Sequence, residues 1–325
     1  MEGFNYMKQK FNKRKVALVG TGMVGMSYAY SMLNSTGVCD ELLLIDANKE
    51  KAKGEAMDLN HGLAVSNCAM KIYSGEYSDC ADADIVTICA GVPRKPGDSR
   101  LDLLGKNAEI FRSIIHPVME SGFDGCFLIA TNPVDVMTYI AQKLSKMPAN
   151  RVIGSGTALD SSRLCYLLGN YFDVAPQNVN AYVLGEHGDS GFVPWSQAKI
   201  GTCPVRKICE DNSKKYDINK LYGIESEVKD VAADVIRYKH ATYYSIGMVL
   251  NRITRAILND ERSVLPLSTM PTGQYGQQDV YIGLPCVVGK NGVRDILTLD
   301  LSHEELEKLS NSCKIIRDLS HSVGI

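Results

Sequence analysis

Between Val16 and Leu33 the chain reads VALVGTGMVGMSYAYSML: a β-branched apolar run breaks at Gly20, further glycines follow at Gly22 and Gly25, and a helical pattern begins at once. Few folds accept three glycines in this spacing at a strand-to-helix junction. The first permits a tight turn, the second lets the backbone approach a pyrophosphate, and the third allows the helix to pack closely on the strand. The helix N-terminus then turns its free N–H groups toward phosphate charge. A glycine triplet also occurs for packing reasons alone, so the next run matters. ELLLID ends in Asp46, about twenty residues beyond Gly25, where a carboxylate accepts hydrogen bonds from both adenosine ribose hydroxyls and repels a 2′-phosphate. Strand, glycines, helix and acid in register predict a dinucleotide site that prefers NAD over NADP.

Similar apolar runs recur with helix-like segments between them: IVTICAG, CFLIATNP and RVIGSG. Continuous apolar strands alternating with helices predict an α/β fold, a Rossmann-type doubly wound parallel sheet covered on both faces. The second half changes pattern. It carries the turn-rich LGEHGDSGFVPW, an amphipathic helix marked by Val228, Val231, Ala232, Val235 and Ile236, antiparallel strands within QDVYIGLPCVVGKNGVRDIL, and a last helix opened by the capping box of Ser302 and Glu305. This predicts a flexible basic tail over residues 1–14, a cofactor-binding domain over 15–155, and an α+β catalytic domain over 156–325.

Charge narrows the partners. With 35 Lys and Arg against 37 Asp and Glu, the net charge of −2 gives no field to attract nucleic acid or an anionic membrane. No apolar run has signal-peptide or membrane-spanning length, so a cytoplasmic protein acting on a small molecule is expected. The ten cysteines contain no C-x-x-C pair and several sit in apolar runs, which predicts buried free thiols and no metal cluster.

His187, in an apolar strand breaking into Glu-His-Gly, is the candidate proton donor, because a carbonyl that receives a hydride also needs a proton near neutral pH. Such a histidine needs a carboxylate to orient it, and Asp160 in GTALDSSRL is the candidate, with a helix N-cap as the alternative. Arg163, three residues on, shares its helical face and could grip a substrate carboxylate with its planar fork, or else be an ordinary surface arginine. Tyr139 and Lys143 form a Y-x-x-x-K pair of the short-chain dehydrogenase kind, for which helix packing is the better explanation.

Taken together, VGTGMVG, LLLID, AGVPRKPGDSRLDLL, ATNPVDV, GTALDSSRL, GEHGDS and KHATYYSIG resemble the L-lactate/L-malate dehydrogenase superfamily from about Lys15 to the C-terminus. The resemblance implies that His187 is the general acid/base, Asp160 its partner, and Arg163 the carboxylate clamp. It implies that Arg100 polarises the substrate carbonyl and that Asn132 bonds near that oxygen and the nicotinamide. Met23, Val24, Ala90 and Gly91 would join the three glycines and Asp46 around NAD. A homotetramer or dimer is also implied.

Within the superfamily most motifs are similar to bacterial L-lactate dehydrogenases, including Glu186, Leu101 and Thr242, which corresponds to a pocket-filling threonine. Arg94 departs from them. That position usually carries glutamine in lactate dehydrogenases and, in malate dehydrogenases, an arginine paired with the distal carboxylate of oxaloacetate. An arginine buried beside a methyl group costs on the order of several kcal/mol, and even ~3 kcal/mol is about a hundredfold in rate. Arg94 therefore sets oxaloacetate and L-malate as the first expectation. Pyruvate and L-lactate, or broad specificity with Arg94 turned to solvent, is the alternative. Pro93, Pro96 and Gly97 fit a lid carrying both arginines. Where relatives activated by fructose 1,6-bisphosphate have an arginine and a histidine, this chain has Cys165 and Asn180, so no such activation is expected. An NAD-binding protein without turnover is the reading from another class, and the intact set of His187, Asp160, Arg163 and Arg100 speaks against it.

Overall fold

The computed structural model describes residues 13–92 and 100–322, the side chains of 100–103 excepted. Arg94, Pro93, Pro96 and Gly97 thus lie outside the described residues, as do the side chains of Arg100 and Leu101.

Six parallel strands form the first half: β1 (Lys15–Val19), β2 (Glu41–Ile45), β3 (Lys71–Ser74), β4 (Ile85–Ile88), β5 (Cys126–Ile129) and β6 (Val152–Gly154). Their spatial order is β3-β2-β1-β4-β5-β6, the doubly wound arrangement in which the chain reverses direction across the sheet between β1 and β4. Helices α1 (Met23–Leu33), α2 (Lys49–Leu63), α3 (Arg100–Glu120) and α4 (Val134–Ser145) make four of the five crossovers, and a 3-10 turn at Tyr77–Cys80 lies in the one from β3 to β4. The central strands are predominantly apolar because both faces are covered: β1, β2, β4 and β5 are buried at every position.

The second half adds α5 (Ala158–Phe172), a small sheet of β7 (Val179–Asn180), β8 (Lys199–Ile200) and β9 (Cys203–Pro204), then α6 (Val205–Asp211), α7 (Ile218–Lys239) and α8 (Tyr244–Leu258). It ends in β10 (Ser263–Thr269), β11 (Ile282–Gly289), β12 (Gly292–Ile296) and α9 (His303–His321). β10 was not foreseen from the sequence. It pairs antiparallel with β6, with Ser268 opposite Gly154, so β10, β11 and β12 extend the parallel sheet to nine strands. At this seam the backbones nearly touch: a methyl group on Gly156, whose φ is +52°, would lie 2.2 Å from the Ser268 nitrogen.

The expected turn between β11 and β12 forms at Lys290–Asn291, and Gly292 takes φ +88°. The capping box at Ser302 also forms: Ser302 Oγ accepts the Glu305 N–H and the Glu305 carboxylate accepts the Ser302 N–H. The amphipathic stripe of α7 is only half used. Leu221, Ile224 and Val228 pack with Leu164 and Leu168 of α5 in a second core, whereas Ile236, two turns on, is 49% exposed. The expected flexible tail needs correcting at its end. Arg14 bonds Asp40 through backbone and guanidinium and also Asn259, and Lys13 pairs with Glu41, so both are tied to the fold. All ten cysteines are free thiols. Among the described residues no helix is long and apolar enough to cross a membrane.

Candidate active site

The glycine loop has the tight turn and the close helix packing that its spacing predicts. Gly20 has φ +99°, and a Cβ there would fall 2.5 Å from the Ala90 nitrogen, so the loop after β1 crosses the loop after β4 at backbone contact. A Cβ on Gly25 would lie 2.0 Å from the Gly20 oxygen, whereas one on Gly22 would meet nothing within 4 Å. Space is thus kept open directly ahead of α1. Its first turn has neither an acidic residue nor a side-chain cap, which leaves the N–H groups of Met23 and Val24 for an anion.

Asp46 closes β2 on the same side. Its Oδ2 accepts the N–H and the hydroxyl of Thr21, each at 2.8 Å, and its Oδ1 accepts the Asn48 N–H at 2.9 Å. Burial alone would raise its pKa; the bonds from Asn48 and Thr21, with Lys51 nearby, outweigh burial and hold it below the ordinary value. A carboxylate held below its ordinary value beside a helix terminus with open N–H groups fits a ribose diol next to a pyrophosphate. These residues fit NAD.

Ala90 and Gly91 follow β4, and Asn132 follows β5, exposed at the carboxyl end of the sheet. Buried Asn107 of α3 joins the two loops, accepting the Val92 N–H at 2.9 Å and donating to the Asn132 carbonyl at 3.0 Å. Arg100 opens α3. Thr242 lies part-buried in the link between α7 and α8.

His187, Asp160 and Arg163 come together. Asp160 lies in the first turn of α5, and Thr157, not Asp160, occupies the position ahead of that helix. Asp160 Oδ2 stands 2.6 Å from His187 Nδ1, and Asp160 Oδ1 accepts from an Arg163 Nη at 3.1 Å. The Arg163 side chain is 12% exposed, so it is not a surface arginine. Burial by itself would lower the His187 pKa, but the Asp160 carboxylate, with Asp135 adding to its field, carries it above the ordinary value. Burial would likewise raise Asp160, but His187 and Arg163 hold it below the normal range. Asp160 is therefore ionised, Nδ1 keeps its proton toward it, and Nε2 is the nitrogen left to exchange a proton with a substrate.

Several residues that brace this group carried no sequence signal. The His187 loop is pinned to the sheet by paired bonds between Gly185 and Gly283, and to α5 through Ser161 Oγ, which accepts the Val183 N–H. Ser312 of α9 accepts the Glu186 N–H at 2.7 Å and lies 2.9 Å from Ser190 Oγ. The Glu186 carboxylate accepts from the Ser190 hydroxyl at 2.6 Å. Asp135, in the first turn of α4, accepts the His187 backbone N–H. Tyr139 and Lys143 lie elsewhere, both bonded to Asp279, which leaves them to helix packing.

Cys165 and Asn180 line a separate pocket of about 390 Å³ with Met248 and Arg252. The Arg252 guanidinium is engaged by Glu261 at 2.6 Å and Ser263 at 2.7 Å.

Residues 14–154 match the family described as lactate/malate dehydrogenase, NAD binding domain, and residues 157–322 match lactate/malate dehydrogenase, alpha/beta C-terminal domain. The chain is 51% identical over 314 residues to L-lactate dehydrogenase 2 of Bacillus cereus (strain ZK / E33L), covering 96% of this chain and 98% of that one. Among solved structures it resembles MGS-M5, a lactate dehydrogenase from a Medee basin deep-sea metagenome library, with a TM-score of 0.93, 48% identity, and coverage of 96% and 99%. It also resembles the ligand-bound minor L-lactate dehydrogenase of Enterococcus mundtii, with a TM-score of 0.93, 44% identity, and the same coverage. These relatives favour the lactate alternative over the first expectation of malate.

Proposed function

The chain belongs to the lactate/malate dehydrogenase family and is an NAD-dependent 2-hydroxy acid dehydrogenase, and within that chemistry we propose that it interconverts pyruvate and L-lactate. The observation that carries this reading is the half-identity, over nearly the full length of both chains, to proteins named L-lactate dehydrogenase. NAD supplies hydride chemistry at the carbonyl carbon when bound. Arg163 binds the substrate carboxylate, with further N–H donors beyond the one given to Asp160. His187 Nε2 delivers a proton to the carbonyl oxygen in reduction and removes it in oxidation, while Asp160 stabilises the imidazolium. Arg100 and Asn132 polarise that oxygen, and Thr242 borders the methyl group. Residues 15–155 hold the cofactor, and 156–325, joined by Arg100 and Asn132 from the first half, hold the substrate.

Arg94 supports a second reading, turnover of oxaloacetate, because an arginine enclosed with a dicarboxylate gains a bidentate partner that pyruvate does not offer. The test is kcat/KM for pyruvate and oxaloacetate, measured side by side with NADH for the unmodified enzyme and for Arg94→Gln. We expect pyruvate to be preferred, and the substitution to raise that preference by up to about a hundredfold. Preference for oxaloacetate by the unmodified enzyme would replace lactate with malate.

The pocket at Cys165 and Asn180 supports independence from fructose 1,6-bisphosphate: its arginine is committed to Glu261, and neither of the two residues supplies positive charge. The half-saturating pyruvate concentration should not change when the bisphosphate is added. The enzyme works in the cytoplasm as a homo-oligomer, a tetramer or dimer. Exposed Tyr238, Tyr244 and Met248 on α7 and α8 support self-association, which light scattering would read as a mass above one chain.

A further inference from the structure

Asp135 is a buried carboxylate beside the chemistry that the mechanism above does not use. It is 3% exposed and belongs to α4, just past Asn132. Its Oδ2 accepts the backbone N–H of His187 at 2.8 Å, and its Oδ1 accepts the Ser268 hydroxyl of β10 at 2.5 Å. A helix of the parallel half, a strand of the antiparallel half and the histidine loop therefore meet at one side chain. A neutral, well-packed residue would fill this place without the cost of burying a charge. We propose that Asp135 is a positioning residue that sets both the height and the proton affinity of His187, a role that rests on His187 being the proton-transfer group.

The geometry separates two contributions. The bond to the main chain fixes where the imidazole sits relative to Asp160, since a histidine whose backbone is clamped loses the freedom to slide along its loop. The charge acts on the ring as a second carboxylate, behind the one that touches it. The groups facing the two residues are Asp160 and Arg163 from α5, Glu186 from the loop itself, Ser268 from β10 and the Cys313 thiol from α9. Burial, reinforced by Glu186, pushes the Asp135 carboxyl up to about 6, while the Ser268 and His187 bonds pull the other way. Asp135, pushed up to about 6, and His187, raised above its ordinary value, are thus coupled neighbours.

Asp135→Asn tests the charge while keeping the shape, because an amide accepts the His187 N–H with its oxygen and donates to Ser268 with its nitrogen. The His187 ring is followed by NMR titration, assigned by comparison with His187→Gln, alongside the pH profile of kcat/KM for pyruvate reduction. We expect both midpoints to move to lower pH by up to about one unit, which is up to about tenfold less protonated histidine on the alkaline limb. The KM for NADH should not change. Ser268→Ala keeps the charge and loosens the clamp, and should lower kcat several-fold, again with the NADH KM unchanged. An NMR midpoint that stays put in Asp135→Asn, or full turnover in both variants, overturns the proposal. A shifted NMR midpoint with an unmoved turnover profile would keep Asp135's hold on His187 and remove the acid/base role from His187.

Discussion

His187 Nδ1 and Asp160 Oδ2 stand 2.6 Å apart, and the second oxygen of the same carboxylate is held by Arg163. One aspartate therefore orients both His187, the proposed proton donor, and Arg163, the proposed carboxylate clamp. The raised His187 pKa fixes the sign of the pH response. Reduction of the 2-oxo acid uses protonated His187, so kcat/KM should be level on the acid side and fall as pH rises through that pKa; oxidation should show the mirror profile. Asp160→Asn should move the midpoint down and lower kcat by about 10² to 10⁴, which steady-state assays from pH 5 to 9 would read (roughly the range that brackets an ordinary histidine).

Gly22 and Gly25 should fail in different ways when each is changed to alanine. At Gly25 the new methyl strikes the Gly20 carbonyl, so α1 must shift and both the melting temperature and NADH affinity should drop. At Gly22 it enters open space, so the melting temperature should hold while NADH binding weakens. Thermal melts with and without NADH separate the two, and equal losses of stability would contradict this account.

Asp46→Ser removes the ionised acceptor at the end of β2. Hydrogen bonds to a charged group contribute about 1.5–3 kcal/mol, so the KM for NADH should rise about tenfold or more. The gap to NADPH should narrow, because the repulsion of a 2′-phosphate is gone. An unchanged NADH/NADPH ratio of kcat/KM would count against Asp46 as the ribose partner.

Asp135→Asn should stabilise the protein while impairing it. A buried carboxyl with its pKa pushed up to about 6 costs stability in its ionised form. That cost is absent when both folded and unfolded states are protonated, grows as pH rises from about 4 to 6, and is full above it, on the order of 2–3 kcal/mol. Denaturant melts at pH 4 and pH 8 should show the variant gaining on the parent only at the higher pH.

The sequence and the structure agree best where the determinants are local. The glycine loop, Asp46, and the Asp160–Arg163 pair on one helical face are set by spacings of a few residues, and each was readable. Asp135 was hidden because its partner is a backbone N–H 52 residues away, and main-chain groups have no residue identity. Ser312 was hidden for the same reason at 126 residues. The apolar stripe on α7 was readable, but periodicity reports which face is apolar and not how far its cover extends; Ile236 lies beyond it. Arg94 marked a choice of substrate that the rest of the chain does not share, and the full-length relatives weigh against it.

The seam between Gly154 and Ser268 has a mechanical meaning. Because β10 continues the hydrogen bonding of β6 and Gly156 presses against the Ser268 backbone, the halves proposed to hold cofactor and substrate are parts of one plate. Opening and closing as a pair of jaws would tear a sheet of nine strands. Moving the two halves apart would cost these backbone contacts, so the shared sheet keeps the cofactor crevice and the His187 loop in register.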